Sequence, residues 1–382
     1  YTIAEIVTIT GGRFLVNKNE AAAIEHLLID SRKLLFPSTT LFFAIAGPRR
    51  QGNAFVKDLY NKGVRNFVVD ASFKFTAQDY ADANVISAAS VLDALQKITA
   101  HHRAQFNIPV IGITGSNGKT IVKEWLYQLL HNDYTVVRSP KSYNSQIGVP
   151  LSVWQMNATH SLGIFEAGIS MPGEMERLQK IIQPTIGVIT NIGQAHSEGF
   201  ENITQKVQEK VNLFCYAATV IYCKDDAIID EAILSLQQKS NVLLFSWGQN
   251  ETAALCITTI QVQAFNTVIK AVFNERKISI SIPFTNDAAI KNAITCWCVL
   301  LHLNIADEII SERMLQLKPV EMRLELKEGI NNCSVINDSY SADITSLSIA
   351  LDFLQQQQQH PKRTVIISDI LQSVKNNQQL YT

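Results

Sequence analysis

Residues 110–120 read Val-Ile-Gly-Ile-Thr-Gly-Ser-Asn-Gly-Lys-Thr, and a helical pattern opens at Lys119. The stretch 110–114 is almost wholly apolar, as in a parallel strand buried on both faces. The small residues that follow let backbone N–H groups close on phosphate oxygens. The start of the next helix adds a partial positive charge. In such a loop Gly115, Ser116, Asn117 and Gly118 cradle a nucleotide, Lys119 reaches the β- and γ-phosphates, and the Thr120 hydroxyl binds Mg²⁺. The commonest form of the motif has a further glycine where this chain has Ile113, so the working pattern is Gly115-x-x-Gly118-Lys119-Thr120. A short match of that kind also fits an ordinary glycine-rich turn with a solvated lysine. The strand–loop–helix setting favours the phosphate loop.

Working outward, apolar strands recur over 162–167, 186–191, 219–223 and 242–246, with helical stretches between several of them. That alternation predicts an α/β fold with a central doubly wound sheet. Residues 255–283 alternate apolar and polar, as hairpins do, and 287–303 reads as an apolar helix. Before this domain, residues 1–106 form a small α/β unit, with strands over 41–47 and 66–70 and helices over 54–62 and 90–105. After Lys318-Pro319 a strand (334–338), a helix (345–355) and a strand (364–369) are expected. Such a unit is too short to bury a sizeable core alone. The expected domains are therefore 1–106, 107–318 and an incomplete Rossmann-like domain at 319–382. The glutamines 355–359 read as a solvated helix end.

The formal net charge of −1 leaves no global basic field to attract nucleic acid or an anionic membrane. No apolar run nears the roughly 18 residues that cross a bilayer, so no membrane insertion is expected. The opening residues lack a signal-peptide layout. They also lack an initiator Met, which suggests that the native chain begins upstream. The six cysteines form no Cys-x-x-Cys pair and read as reduced thiols of a cytosolic protein. No nucleophile elbow, metalloprotease helix or zinc spacing occurs.

Two residues outside the loop are candidates for metal or proton work. Glu166 ends an apolar strand, where α/β sheets bind ligands, and its oxygens suit Mg²⁺. His196 follows another such strand. Imidazole is a less usual Mg²⁺ ligand, so on chemistry alone His196 is equally a group that contacts substrate.

These pieces, in this order, resemble the Mur ligases, which build the peptide of bacterial cell-wall precursors. The resemblance extends over the whole chain. Asp30-Ser31-Arg32, Leu41-Phe42-Phe43-Ala44, Gly47 and Gly52-Asn53-Ala54-Phe55 look like the substrate-binding domain of the two late ligases, which implies that Ser31 and Arg32 help hold the UDP-sugar. Glu166-Ala167-Gly168 and Asn191-Ile192-Gly193-x-Ala195-His196 match the family's Mg²⁺-binding stretches, which implies metal ligation by Thr120, Glu166 and His196. The family also carries a lysine, carbamylated by CO₂, that helps hold a second Mg²⁺. Lys210 is the best match, with Lys206 as its rival. Asn292 matches an adenine-contacting Asn, Arg323 an arginine that contacts the nucleotide, and Asp338 a ribose-holding Asp. In that last stretch Ser341, Asp343 and Ile344 depart from the family pattern.

Tyr143-Asn144-Ser145-Gln146-Ile147-Gly148-Val149-Pro150 resembles the segment of the members that add D-Ala-D-Ala, which makes Asn144 a substrate residue. Ser142 and Ser145 stand where those members usually have Asn. The resemblance implies a monomeric, cytoplasmic bacterial enzyme. ATP would phosphorylate the terminal carboxylate of UDP-N-acetylmuramoyl-tripeptide, and the amine of D-Ala-D-Ala would attack the acyl phosphate. Lys119, His196 and Lys210 would serve the reaction. The alternatives are the tripeptide-forming Mur ligase, a P-loop ATPase with another substrate, and a non-catalytic ligase-like module.

Overall fold

The computed structural model describes residues 1–47, 51–193, 199–331, 333–340, 344–357, 360 and 362–368. They form two compact units. The first comprises Tyr1–Asn107 and Gln146–Asn157, and the second Ile108–Ser145 and Ala158–Thr382.

The first unit is a five-stranded sheet flanked by helices. Its strands are β1 (Arg13–Val16), β2 (His26–Leu28), β3 (Thr40–Phe43), β4 (Asn66–Val69) and β5 (Asn84–Ser87), in the order β1-β5-β4-β3-β2. Only β1 runs antiparallel to its neighbour. Alternate residues of β3 serve opposite faces, as the two-residue period of a strand requires. Leu41 and Phe43 pack under the helices Ile3–Thr10 and Val91–Arg103, while Phe42 joins a second core with Val56, Leu59 and Phe67. The short helix Gly148–Val153 also belongs to this unit, and it buries Val149 and Val153.

The second unit is built on a nine-stranded sheet. Its strands are β6 (Val110–Thr114), β7 (Val136–Arg138), β8 (Leu162–Glu166), β9 (Ile186–Ile189), β10 (Thr219–Cys223), β11 (Leu243–Gly248), β12 (Leu255–Val262), β13 (Thr267–Phe273) and β14 (Arg276–Ile282). The order is β14-β13-β12-β11-β10-β9-β6-β8-β7, so the phosphate-loop strand β6 lies between β9 and β8. Strands β6 to β12 pair in parallel, and β12 to β14 form the expected hairpins. β6, β8 and β9 are buried at every residue, which is why they read as unbroken apolar runs. The helix Asp287–His302 is capped by Asn286, which accepts from the Ala289 amide at 2.8 Å. It buries twelve residues, and each large apolar side chain among them contributes about 1.5–3 kcal/mol.

Beyond residue 318, β15 (Glu325–Glu328) pairs antiparallel with β16 (Ser334–Asn337), and the helix Ile344–Gln356 follows. The strand expected over 364–369 does not form across its described residues, 364–368. An apolar run becomes a strand only with a neighbour to pair, and here Ile366 is 95% exposed.

Candidate active site

The loop between β6 and the helix Lys119–Leu130 depends on two glycines. Gly118, the helix N-cap, has φ +83°, and a Cβ there would meet Asn292 Oδ1 at 2.5 Å. Gly115 has φ +143°, and a Cβ would lie 2.0 Å from Thr190 Oγ1. Because Gly118 provides no side-chain cap, the amides of the helix's first turn must find an acceptor elsewhere, as an anion-binding helix start requires.

The segment after β9 braces the loop. Asn191 accepts from the Ser116 amide through its carbonyl (2.7 Å) and from the Asn117 amide through Oδ1 (2.8 Å). Ser116 Oγ accepts from the Gly193 amide at 2.9 Å. Thr190 Oγ1 donates to the Asn117 carbonyl at 2.5 Å.

Three lysine side chains converge on this loop and the segment that braces it. Lys119 Nζ donates to the Gly115 and Ser116 carbonyls, both at 2.8 Å. Lys210 Nζ reaches the same Gly115 carbonyl at 3.2 Å, and Lys206 Nζ reaches the Gly193 carbonyl at 2.6 Å. Lys210 is 2% exposed. Burial, and then the charges of Lys119 and Lys206, hold its amine well below the usual lysine range. Such a cluster is an electrostatic seat for a polyanion.

Glu166 stands at the end of β8, fully buried. Its Oε2 accepts from Thr120 Oγ1 at 3.1 Å. Its Oε1 meets the equally buried ammonium of Lys123 at 3.0 Å, as an ion pair rather than an aligned hydrogen bond. The carboxylate and the Thr120 hydroxyl thus offer adjacent oxygens, a donor set that fits Mg²⁺. Thr120 Oγ1 also pairs with Ser142 Oγ at 2.8 Å, and Arg323 Nη2 donates to that serine at 3.3 Å. Asn144 accepts from the Gly168 amide through its carbonyl at 2.8 Å, just beyond Glu166. His196, and Ser341 and Asp343 of the altered stretch, lie outside the described residues.

A cavity of about 810 Å³ opens from the loop, within the size range of small-molecule sites. Asn117, Gly118, Asn292, Arg323 and Asp338 all line it. The Arg323 guanidinium lies over the Tyr340 ring at 4.0 Å, and Asp338 Oδ1 accepts from the Leu324 amide at 3.1 Å. Ser346 Oγ donates to Asn117 Oδ1 at 3.4 Å. Ser31 and Arg32 belong to the first unit, in a 3₁₀ turn after β2. There the Arg32 guanidinium makes two bonds to Asp30, at 2.7 and 2.8 Å, and holds that carboxyl down at about 2.

Sequence reading missed Lys123, Asp225 and Trp247, the last two of which line the cavity. Lys123 left a signal: it follows Lys119 by one helical turn on an otherwise apolar face. Ser142 was noted only as a departure from the family's usual Asn, and its contacts with Thr120 and Arg323 depend on a loop fold that spacing does not encode.

A model of the Mur ligase middle domain matches residues 113–300. The UDP-N-acetylmuramoyl-tripeptide–D-alanyl-D-alanine ligase of Bacillus subtilis is 28% identical over 374 residues, covering 97% of this chain and 79% of that protein. The ligase of the same name from Buchnera aphidicola (strain Bp) is 29% identical over 361 residues, covering 93% and 75%. Among solved structures, MurF from Acinetobacter baumannii superposes with a TM-score of 0.82 at 23% identity, over 94% of this chain and 77% of that one. MurF ligase from Thermotoga maritima in complex with ADP gives 0.74 at 22%, over 87% and 74%. At these identities the structures establish a shared fold: α/β, with the architecture of the Mur ligases.

Proposed function

We propose, from the premise that this chain belongs to the Mur ligase family, that it joins D-alanyl-D-alanine to UDP-N-acetylmuramoyl-tripeptide at the cost of ATP, in the synthesis of peptidoglycan precursors. The observation that carries the chemistry is the phosphate loop Gly115–Thr120, which opens on a cavity that Asn292, Arg323 and Asp338 also line. The relatives' shared name carries the choice of substrates.

The terminal carboxylate of the tripeptide attacks the γ-phosphorus of ATP, and ADP leaves. The amine of D-Ala-D-Ala then attacks the acyl carbon, the C–O bond to phosphate breaks, and the amine gives up a proton. Little of this needs covalent help from the protein, which must align the groups and offset crowded negative charge. Lys119 supplies charge at the β- and γ-phosphates. Asn292 contacts adenine, Asp338 holds the ribose, and Arg323 grips the nucleotide from the segment after residue 318. Asn144 faces the acceptor substrate, and Ser31 and Arg32 bind the UDP end in the first unit.

Thr120 and Glu166 would hold Mg²⁺, and the family resemblance adds His196 as a further ligand. Bound there, the ion would neutralise phosphate oxygens. Lys210 would be carbamylated: its neutral amine adds to CO₂ and releases a proton, which turns a cation into an oxygen ligand for a second Mg²⁺. The depressed basicity of Lys210 suits that addition. Carbon NMR with isotopically labelled bicarbonate tests this. The carbamate signal should vanish in Lys210→Met and persist in Lys206→Met, and the reverse result would move the role to Lys206.

We assign residues 319–382 to a third functional domain and the protein to the cytoplasm, as a monomer. No helix among the described residues is long and apolar enough to cross a membrane. Calorimetric binding of UDP-N-acetylmuramoyl-tripeptide against the dipeptide precursor tests the substrate assignment. The tripeptide should bind more tightly, and preference for the dipeptide would indicate the tripeptide-forming ligase.

A further inference from the structure

We infer that Lys123 is a positioning residue for the reaction, an internal counter-ion that aims Glu166 at Thr120 and fastens the loop over 139–142 beside them. The inference rests on the reading of Thr120 and Glu166 as a Mg²⁺ site. Lys123 lies on the buried face of the helix Lys119–Leu130, where an apolar residue would pack without needing partners. Its ammonium instead meets four acceptors. Glu166 Oε1 lies at 3.0 Å, Glu124 Oε1 at 2.9 Å and the Ser139 carbonyl at 2.8 Å, and the Lys141 carbonyl is also bonded. Glu124 is shared outward with Arg138, at 3.1 Å through its other oxygen.

Two consequences follow. One oxygen of Glu166 is committed to Lys123, so the other is left to face the Thr120 hydroxyl at 3.1 Å. A buried carboxylate free to rotate would present either oxygen, or neither. The same ammonium also holds two carbonyls of the segment that enters the site after β7, with Lys141 at φ +50°. The next residue is Ser142, whose hydroxyl meets both Thr120 and Arg323. Lys123 therefore ties the phosphate-loop helix, the carboxylate and the Ser142 loop to one point. Misplacing such groups by about 1 Å costs roughly 100-fold in rate.

The test compares wild type, Lys123→Met, Glu166→Gln and the double variant in the intact protein. Calorimetry measures Mg²⁺ affinity in the presence of ADP, and ligation assays measure kcat and the KM of the UDP-substrate. Lys123→Met should weaken Mg²⁺ binding about tenfold and lower kcat about 100-fold, with that KM unchanged. It should also melt roughly 10 °C lower, since it leaves a buried carboxylate unpaired. The double variant has no such unpaired charge, so it remains informative if Lys123→Met folds poorly. It should match Glu166→Gln in Mg²⁺ affinity, because Lys123 acts through Glu166. A lower melting point with wild-type Mg²⁺ affinity and kcat would overturn the inference, as would tighter Mg²⁺ binding, or a further tenfold loss when Lys123→Met is added to Glu166→Gln. If Glu166→Gln binds Mg²⁺ as tightly as wild type, the metal-site reading falls and the role of Lys123 falls with it. Weakened binding in Glu166→Gln but not in Lys123→Met would remove the Lys123 role alone.

Discussion

Replacing Gly115 with alanine tests whether the loop's shape, and not merely its composition, makes the nucleotide site. Gly115 has φ +143°, a conformation that costs a non-glycine residue about 1–3 kcal/mol. The added Cβ would also lie 2.0 Å from Thr190 Oγ1 and 3.0 Å from the Asn191 carbonyl. Overpacking of that kind costs about 1–3 kcal/mol more. The sum is about 2–6 kcal/mol, which at about 2–4 °C per kcal/mol lowers the melting temperature by on the order of 10 °C. Relief by moving Thr190 would break its bond to the Asn117 carbonyl and displace the loop amides, so ATP affinity should fall as well. Differential scanning fluorimetry without nucleotide and calorimetry with an ATP analogue read the two effects separately. Gly115→Ala/Thr190→Ala should recover the steric part and retain the backbone part. A Gly115→Ala protein that melts within about a degree of wild type and binds ATP equally well would refute the reasoning.

Lys119→Ala should lower turnover about 100- to 1000-fold, by removing charge stabilisation at the phosphates, while leaving UDP-substrate binding to the first unit intact. Unimpaired ATP hydrolysis would remove the loop assignment. Arg323→Ala should raise the KM for ATP about tenfold, read in steady-state kinetics; an unchanged KM would separate Arg323 from the nucleotide. Lys210 titrates lower in the folded protein than in the unfolded chain, so the unfolded chain binds more protons between the two values. The resulting penalty is greatest below the folded value and fades as pH rises towards the ordinary lysine value of about 10.4. In CO₂-free buffer Lys210→Met should therefore exceed wild type in urea stability near neutral pH, with the gap closing at alkaline pH. A gap that stays constant or widens would contradict the assignment.

The central sheet was legible because its strands are buried on both faces. Val110–Thr114, Leu162–Glu166 and Thr219–Cys223 carry their burial as unbroken apolar runs, and glycine chemistry marks the loop between them. The smaller elements left little trace. Arg13–Val16, His26–Leu28 and Val136–Arg138 have three or four residues each, too few for a period to register. The helix Gly148–Val153 was also missed, since Pro150 and a glycine start disguise it. Within the site, Lys119, Thr120 and Glu166 were readable from the ends of their elements. Lys123 was not, and Ser142 only as a departure from the family pattern, because their partners come from segments brought together only by folding. The apolar run after residue 363 misled, since periodicity gives a strand's pattern and not its neighbour.

The most direct measurement is phosphate release from ATP, with amide product followed in the same reaction, using UDP-N-acetylmuramoyl-tripeptide or the dipeptide and with or without D-Ala-D-Ala. Phosphate release that requires both the tripeptide and D-Ala-D-Ala, in step with product, is the predicted result. Phosphate release indifferent to D-Ala-D-Ala, or dependent on the dipeptide and a single diamino acid, would contradict it.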